Sequence, residues 1–510
     1  MSVVMDPADW VDRAARTHPR QLFLKTPGGR QYSYESLREA SGGFASALIE
    51  RGVVPGDRVA VQVDKCAEAV LLYVACLRLG AVFVPINVAN TPNEVDYFLR
   101  DSRPRVAVIR PADRSVLEPL AERAGIAHVE TLGADGEGSF LESVAQATST
   151  LGPLQNTANS LAAIIYTSGT TGRSKGAMLT RANLASNAAA LVETWRFTDR
   201  DVLLHTLPLF HIHGLFTAVN TVLASASSLL LLPKFDAPIT LRHLPAATVF
   251  MGVPTYYTRL LQQAGLNRDS TAHMRLFVSG SAPLLPETHR EFLRRTGHTI
   301  LERYGMTETL INTSNPYDGP RVPGSVGRAL PGIAIRVAGA QSCLAPSEAS
   351  EVGSLEIMGP NVFAGYWGDA EKTRGEFTAD GWFKSGDLGH VDRDGYVYIV
   401  GRAKDLVISG GYNVYPREVE SELDSVPGVL ESAVFGVPHP DFGEGVTAAV
   451  VRKAGAELSE AHIINAIQTR LARYKLPKRI LIVDELPRNT MGKVQKNTLR
   501  ATYASLYQAS

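Results

Sequence analysis

The run Tyr166-Thr167-Ser168-Gly169-Thr170-Thr171-Gly172-Arg173-Ser174-Lys175-Gly176 has the inventory of an anion cradle. Glycines let backbone N–H groups crowd onto an anion, hydroxyls add uncharged donors, and the terminal lysine adds a point charge; together these suit a polyphosphate. The run follows an apolar, strand-like stretch, Leu161 to Tyr166, and precedes a helical pattern from Ala182 to Trp195, with Thr180 as the N-cap. The bland alternative is a Gly/Ser turn between strand and helix, which a short glycine string alone does not exclude. A Walker A loop ends Gly-Lys-Ser/Thr, whereas this run ends Ser174-Lys175-Gly176, so a P-loop kinase or GTPase is excluded on spacing.

Further strings follow along the chain: Leu207-Pro-Leu-Phe-His211-Ile212-His213-Gly, Arg303-Tyr304-Gly305-Met306-Thr307-Glu308-Thr309, Gly381-Trp-Phe-Lys-Ser-Gly386-Asp387, Gly401-Arg402-Ala-Lys404-Asp405 and Asn489-Thr-Met-Gly492-Lys493. Each alone could be a loop or a cap. With the first run, and in this order, they make the chain resemble, over nearly its whole length, the acyl-adenylate-forming superfamily of acyl-CoA synthetases, luciferases and peptide-synthetase adenylation domains. The chemistry of that family accounts for the parts. A carboxylate is a poor acyl donor; attack on the α-phosphate of ATP gives an acyl-adenylate and expels pyrophosphate, and the protein must stabilise the charge in transit.

The resemblance implies the following roles. Thr167, Ser168, Gly169, Thr170, Thr171, Gly172 and Lys175 hold the ATP phosphates. Glu308 holds Mg²⁺, a hard cation suited to carboxylate and phosphate oxygens. Lys493 reaches the reacting carboxylate and α-phosphate, with His211 and Glu308 as the other catalytic groups. Asp387 and Arg402 meet the ribose hydroxyls, and Tyr304 and Thr307 border the nucleotide. Lys404 is the hinge about which a C-terminal domain pivots. Gly410 and Gly411 admit the narrow pantetheine arm of CoA. Because similar ligases are controlled at this lysine, an acetyltransferase and a deacetylase acting on Lys493 are expected partners.

Two arginines bear on which acid is activated. The pocket of a fatty-acid ligase should be apolar, and a buried arginine there costs several kcal/mol unless paired. A second carboxylate on the substrate supplies the pair, since guanidinium grips carboxylate in a fork. Arg259, in Gly252-Val-Pro-Thr-Tyr-Tyr-Thr-Arg259, and Arg303 are the candidates. Together with Ser279-Gly-Ser-Ala-Pro-Leu-Leu, Asn312-Thr-Ser-Asn-Pro-Tyr-Asp-Gly and Pro487-Arg-Asn-Thr-Met-Gly-Lys, their surroundings resemble malonate–CoA ligases, in which two arginines at these places hold the distal carboxylate. That implies conversion of malonate, ATP and CoA to malonyl-CoA, AMP and diphosphate through malonyl-adenylate. Ser279, Ile212 and Met306 are further pocket candidates, and the bulk of Ile212 leaves methylmalonate tolerance open. Another short-chain or aryl acid–CoA ligase is the nearest alternative. A carrier-loading adenylation enzyme and a non-catalytic relative are weaker: no carrier domain follows Lys493, and Lys175, Glu308, Asp387 and Lys493 are all present.

Positioning these residues requires α/β architecture. Arg58–Val63, Ala67–Leu79 and Ala81–Ile86 read strand, helix, strand, with Gly80 as a C-cap. The alternation recurs at Val106–Ile109, Ser228–Leu232, Ala247–Met251 and Met274–Val278, each strand with helical residues after it. Gly324 to Val400 reads as short, glycine-punctuated strands. After this comes a domain with its own core, carrying helices at Pro416–Val426 and Glu460–Tyr474 and strands at Ser432–Phe435, Val446–Val451 and Ile480–Val483. The expected fold is α/β: a large N-terminal domain, 1–401, of α/β sheets plus a β-rich subdomain, and a small, mobile α+β C-terminal domain, 402–510. Composition fits this, with 510 residues, 45% hydrophobic and 20% charged. Lys+Arg and Asp+Glu both number 51, which leaves no electrostatic case for nucleic acid or an anionic membrane as partner. Cys66, Cys76 and Cys343 are too dispersed for a disulfide framework or metal cluster and read as buried thiols. The early acids of the N-terminal stretch and the absence of an apolar run of roughly 20 residues point to a cytoplasmic protein.

Overall fold

The computed structural model describes residues 5–152, 157–167, 174–338, 351–489 and 493–508. The helix Ala67–Leu79 is apolar on every side and buried along almost its whole length, as such a helix must be. It joins two parallel strands, Arg58–Gln62 and Val82–Pro85. These sit in a seven-stranded sheet ordered Gly365–Tyr366, Lys175–Thr180, Leu161–Thr167, Val82–Pro85, Arg58–Gln62, Val106–Ile109 and His128–Thr131. A second sheet has nine strands, in the order Arg328–Ala329, Leu310–Ser314, Leu301–Met306, Leu276–Ser279, Val249–Gly252, Val202–His205, Ser228–Leu231, Leu22–Lys25 and Gln31–Ser33. Its central strands are parallel and buried throughout, as strands covered on both faces are. Their carboxyl ends deliver His205, Gly252 and Ser279 to the edge where open α/β sheets form ligand crevices.

A four-stranded antiparallel sheet, Ala334–Val337, Gly353–Met358, Phe383–Val391 and Val397–Arg402, forms the expected β-rich subdomain. Beyond Arg402 a five-stranded sheet carries the Pro416–Asp424 and Glu460–Ile467 helices on a separate core that includes Val419, Leu423, Val434, Ile463 and Ile467. Cys66 and Cys76 are buried thiols. Among the described residues no helix is long and apolar enough to cross a membrane.

The helix expected after the phosphate run is present, with Thr180 as its N-cap. Ahead of it stands a strand that the sequence reading did not include. Lys175–Thr180 is a strand, antiparallel to Leu161–Thr167 with Thr167 opposite Lys175, and the helix begins only at Arg181 behind a Thr180–Asn183 capping box. Ala177 and Leu179 are buried in that strand, so the apolar residues after Gly176 are consumed by sheet pairing. One local expectation fails: the helix from Glu460 stops at Ile467 and continues as turns. Those turns stack Tyr474 on Tyr412 at 4.7 Å and bring Lys475 to Glu418, tertiary contacts that override a weak helix propensity.

The nine-stranded sheet is anchored by a buried ion pair. Arg275 donates to Asp201 from Nε at 2.6 Å and Nη2 at 2.7 Å, and the Thr248 hydroxyl and Thr198 N–H, each at 2.8 Å, complete the carboxylate. Removing one partner of a buried pair leaves an uncompensated charge. Arg275→Met is therefore expected to lower unfolding free energy by about 3–5 kcal/mol in urea denaturation at neutral pH. A loss below about 1 kcal/mol would mean that the pair is worth no more than an exposed one.

Candidate active site

Strand pairing brings the first two polar groups together. Asp387 and Arg402 are opposed residues of the antiparallel Phe383–Val391 and Val397–Arg402 strands, and Arg402 Nε donates to Asp387 Oδ1 at 2.6 Å. The Tyr304 hydroxyl donates to the other oxygen, Oδ2, and the Ser385 hydroxyl lies 3.1 Å from the Asp387 N–H. Burial raises the Asp387 carboxyl above the usual carboxylate range, with Arg402 opposing.

Glu308 stands in the tight turn between Leu301–Met306 and Leu310–Ser314. Gly305 is required there, because a Cβ would sit 2.0 Å from the Leu310 carbonyl oxygen. The turn holds Glu308 8% exposed, and the Tyr366 hydroxyl donates to its Oε1 at 3.0 Å. Desolvation raises its pKa. Lys175 reaches over the Tyr366 ring, 5.4 Å from the centroid, and feels the Glu308 charge. Glu308 thus faces the mouth of the phosphate run, whose Ser168, Gly169, Thr170, Thr171 and Gly172 lie outside the described residues. Among the described residues no three His, Cys, Asp or Glu side chains converge as a metal cage. A divalent cation here would take Glu308 together with phosphate oxygens and water, the arrangement usual for Mg²⁺.

Lys493 connects the two domains. Its N–H donates to Asn489 Oδ1 at 2.9 Å and its carbonyl accepts from the Asn489 N–H at 2.9 Å, which ties down both ends of the turn. The residue as a whole is exposed. Its ammonium is held below the usual lysine range by desolvation, with Arg402 and Arg303 pushing the same way and Asp387 and Glu308 opposing. The same ammonium acts on His211, whose imidazole is pushed down to about 3 by burial, Lys493 and Arg303. Residues from positions 211 to 493 therefore share one cleft.

Arg303 is the outlying group. It is 3% exposed, and its Nε and Nη2 have no hydrogen-bond partner among the described residues. Burial pushes the guanidinium down to about 9, so it remains charged at neutral pH. Gly280 leaves room for it, since a Cβ there would lie 2.6 Å from the Arg303 Cζ. His211 and His213 feel its charge, and the Nε2 of His213 is also unpartnered among the described residues. Ile212 between them is buried, and the Met306 sulfur lies 3.9 Å from the Tyr304 hydroxyl.

The remaining expected site residues lie elsewhere. Ser279 is fully buried with an unpartnered hydroxyl, but the parallel register sets it opposite Glu302 rather than Arg303. Arg259 is exposed in the last turn of Pro254–Leu261, two residues from the buried Tyr257 that acts on Arg303. Thr307 is in the Glu308 turn. Lys404 is exposed in a 3₁₀ turn, Ala403–Asp405, next to the Arg500–Asp405 ion pair at 2.9 Å. Gly410 and Gly411 form an exposed two-residue hairpin turn with φ of 59° and 81°, conformations that by themselves call for glycine. Sequence reasoning missed Tyr366, which bridges Glu308 and Lys175, because a lone tyrosine in a Gly-Tyr-Trp string carries no signal of its partners.

The chain matches the family model described as AMP-binding enzyme over residues 11–367, and that of the AMP-binding enzyme C-terminal domain over 418–493. It is 35% identical over 484 residues to a mitochondrial malonate–CoA ligase of Mus musculus, covering 88% of this chain and 82% of the relative. It is 34% identical over 514 residues to an indoleacetate–CoA ligase of Aromatoleum aromaticum, covering 98% of each. Among solved structures it is similar to ATP-bound MatB from Rhodopseudomonas palustris, with a TM-score of 0.94 and 52% identity over 99% of this chain and 100% of that one.

The depressed His211 imidazole has a measurable consequence. Being neutral at every pH above about 3, it gains no proton as the pH falls from 8 to 5. The pH profile of acid-dependent pyrophosphate release is expected to lack an ionisation near 6.5, the ordinary imidazole value, that disappears in His211→Gln. Finding one would mean that His211 is charged in the working enzyme.

Proposed function

The chain belongs to the AMP-binding enzyme family and is an AMP-forming acid–CoA ligase, and within that activity we propose that the acid it activates is malonate. The observation that carries this reading is the buried Arg303 guanidinium with two unpartnered nitrogens. A monocarboxylic acid spends its only carboxylate on the α-phosphate and leaves that cation uncompensated; a dicarboxylic acid brings a second carboxylate to meet it. The malonate–CoA ligase among the relatives favours a three-carbon diacid, and methylmalonate tests the space beside the buried Ile212. Arg259 enters as the second arginine only if its side chain turns inward when the acid binds.

In the proposed mechanism the malonate carboxylate attacks the α-phosphorus of ATP; the P–O bond to the β-phosphate breaks, releasing pyrophosphate and leaving malonyl-adenylate. Lys493 neutralises the developing charge, and the Thr167–Lys175 run holds the departing phosphates. Asp387, Arg402 and Tyr304 fix the nucleoside, with Thr307 beside it, and His211 orients the reacting carboxylate through an uncharged ring. Mg²⁺, when bound, supplies charge neutralisation between the phosphate oxygens, and Glu308 is the side chain that would hold it. Rotation of residues 402–510 about Lys404 then withdraws Lys493 and brings Gly410 and Gly411 in for attack by the CoA thiol, which expels AMP. Acetylation of Lys493 would remove the charge this first half-reaction needs and switch it off.

Pyrophosphate release measured with malonate, methylmalonate, succinate, acetate and benzoate tests the substrate. Malonate is expected to be turned over best, and faster release with acetate or benzoate at equal concentration would refute the assignment. Arg303→Leu is expected to lower kcat/KM for malonate by the equivalent of about 2–5 kcal/mol, leaving ATP binding unchanged.

Lys493→Ala is expected to lose at least ~10²–10³ of adenylation rate while converting preformed malonyl-adenylate to thioester nearly normally. Equal loss of both half-reactions in a folded variant would count against the rotation. Enzymatically acetylated protein should behave like Lys493→Ala and recover on deacetylation; full adenylation by protein acetylated at Lys493 would refute the switch.

A further inference from the structure

Ser281 has a left-handed backbone, φ 71°, a conformation that side-chain-bearing residues resist by about 1 kcal/mol or more. Nothing local demands a side chain there, and glycine would occupy the position without strain. What the serine contributes is a hydroxyl. Its Oγ lies 3.3 Å from Nδ1 of His213, a ring 1% exposed at the start of the π-helical turn His213–Val219. That turn is tightly held: a Cβ on Gly214 would sit 2.0 Å from the Pro208 carbonyl oxygen, so the ring cannot easily move away from Ser281.

The other nitrogen of the ring, Nε2, is buried without a partner among the described residues, as are Nε and Nη2 of Arg303. The charged and titratable groups acting on His213 are Arg303, His211 and His205; with burial the leading cause, they hold its imidazole well below the usual range and therefore neutral. A neutral imidazole carries one proton, and the partner of one nitrogen decides where it sits. For His211 the answer follows directly: its Nδ1 lies 3.2 Å from the His213 backbone N–H, which can only donate, so the His211 proton is on Nε2. For His213 the partner of Nδ1 is the Ser281 hydroxyl, which can donate or accept, so the group that meets Nε2 selects between the two tautomers.

We propose that Ser281 is a positioning residue: when the substrate's distal carboxylate meets Nε2, the hydroxyl donates to His213 Nδ1, holds the Nε2–H tautomer, and thereby presents Nε2–H beside Arg303 as an uncharged donor to that carboxylate. This rests on the malonate reading. The strained backbone, the 3.3 Å contact and the unpartnered Nε2 are then parts of one device. The opposite tautomer would point a lone pair at an anion, a repulsive contact in a site that has excluded water.

The experiment is Ser281→Gly, which deletes the hydroxyl and relieves the left-handed strain together. Thermal stability should hold or rise, whereas KM for malonate should rise about tenfold, the worth of one hydrogen bond to a charged group, with KM for ATP unchanged. In a His213→Gln background the same substitution should have no further effect on malonate KM. Long-range ¹H–¹⁵N spectra of histidine-labelled protein with malonate bound should report His213 as Nε2–H in the wild type and as a tautomer mixture in Ser281→Gly. An unchanged malonate KM in Ser281→Gly, an equal KM penalty with and without His213, or an Nδ1–H tautomer in the wild type would each overturn the proposal. If wild-type protein fails to release pyrophosphate with malonate, the substrate reading is lost, and the spectra of the free protein still decide the Ser281–His213 contact.

Discussion

A desolvated cation with no counter-ion is the constraint around which this cleft is organised. Arg303 projects from the third strand of a nine-stranded sheet, buried where water cannot solvate it and no carboxylate among the described residues compensates it. Such a group costs several kcal/mol of folding free energy, and it persists only where the surrounding frame leaves it no other place. Here the frame is the Leu301–Met306 strand, paired on both sides, with Gly280 as the gap that admits the guanidinium. In the malonate reading proposed above, that cost would return as affinity, because pairing with a carboxylate would take place where the dielectric is low.

The same positive environment sets the state of its neighbours. His211 and His213 are held neutral by burial, reinforced by Arg303 and, at His211, by Lys493. Neutral imidazoles can donate to an anion without adding repulsion to a site already rich in cations. Opposite them, Asp387 and Glu308 have raised pKa values and hydroxyl partners in Tyr304 and Tyr366. Asp387 is paired with Arg402, and Lys175 feels the Glu308 charge, whereas Arg303 has no such partner among the described residues. Lys493 feels Asp387, Arg402, Glu308 and Arg303.

That lysine also makes the site a property of two bodies. The C-terminal sheet has its own core, and Lys453 of that body reaches the exposed Glu287 of the larger one at 3.4 Å. Such a surface pair contributes little to holding the two together. Lys404 lies in a charged, exposed turn at the start of the smaller body.

Much of this was determined by the sequence by itself. The alternation of apolar strands and helices specified α/β sheets, because parallel strands buried on both faces must be apolar throughout. The ordered strings around Lys175, Glu308, Asp387, Arg402 and Lys493 named the polar groups of the cleft, because each needs neighbours of a particular size within a few residues, as Glu308 needs Gly305. The tertiary structure alone decided which of these groups lack partners. Partnership depends on register and burial between segments distant in sequence: Arg303 and Arg259 look alike in the chain, yet one is enclosed without a counter-ion and the other is solvated on a helix. Register parity likewise turned Ser279 toward Glu302, and sheet pairing took Lys175–Thr180 out of the loop. The Ser281–His213 contact joins residues 68 positions apart through a backbone angle that no local pattern announces.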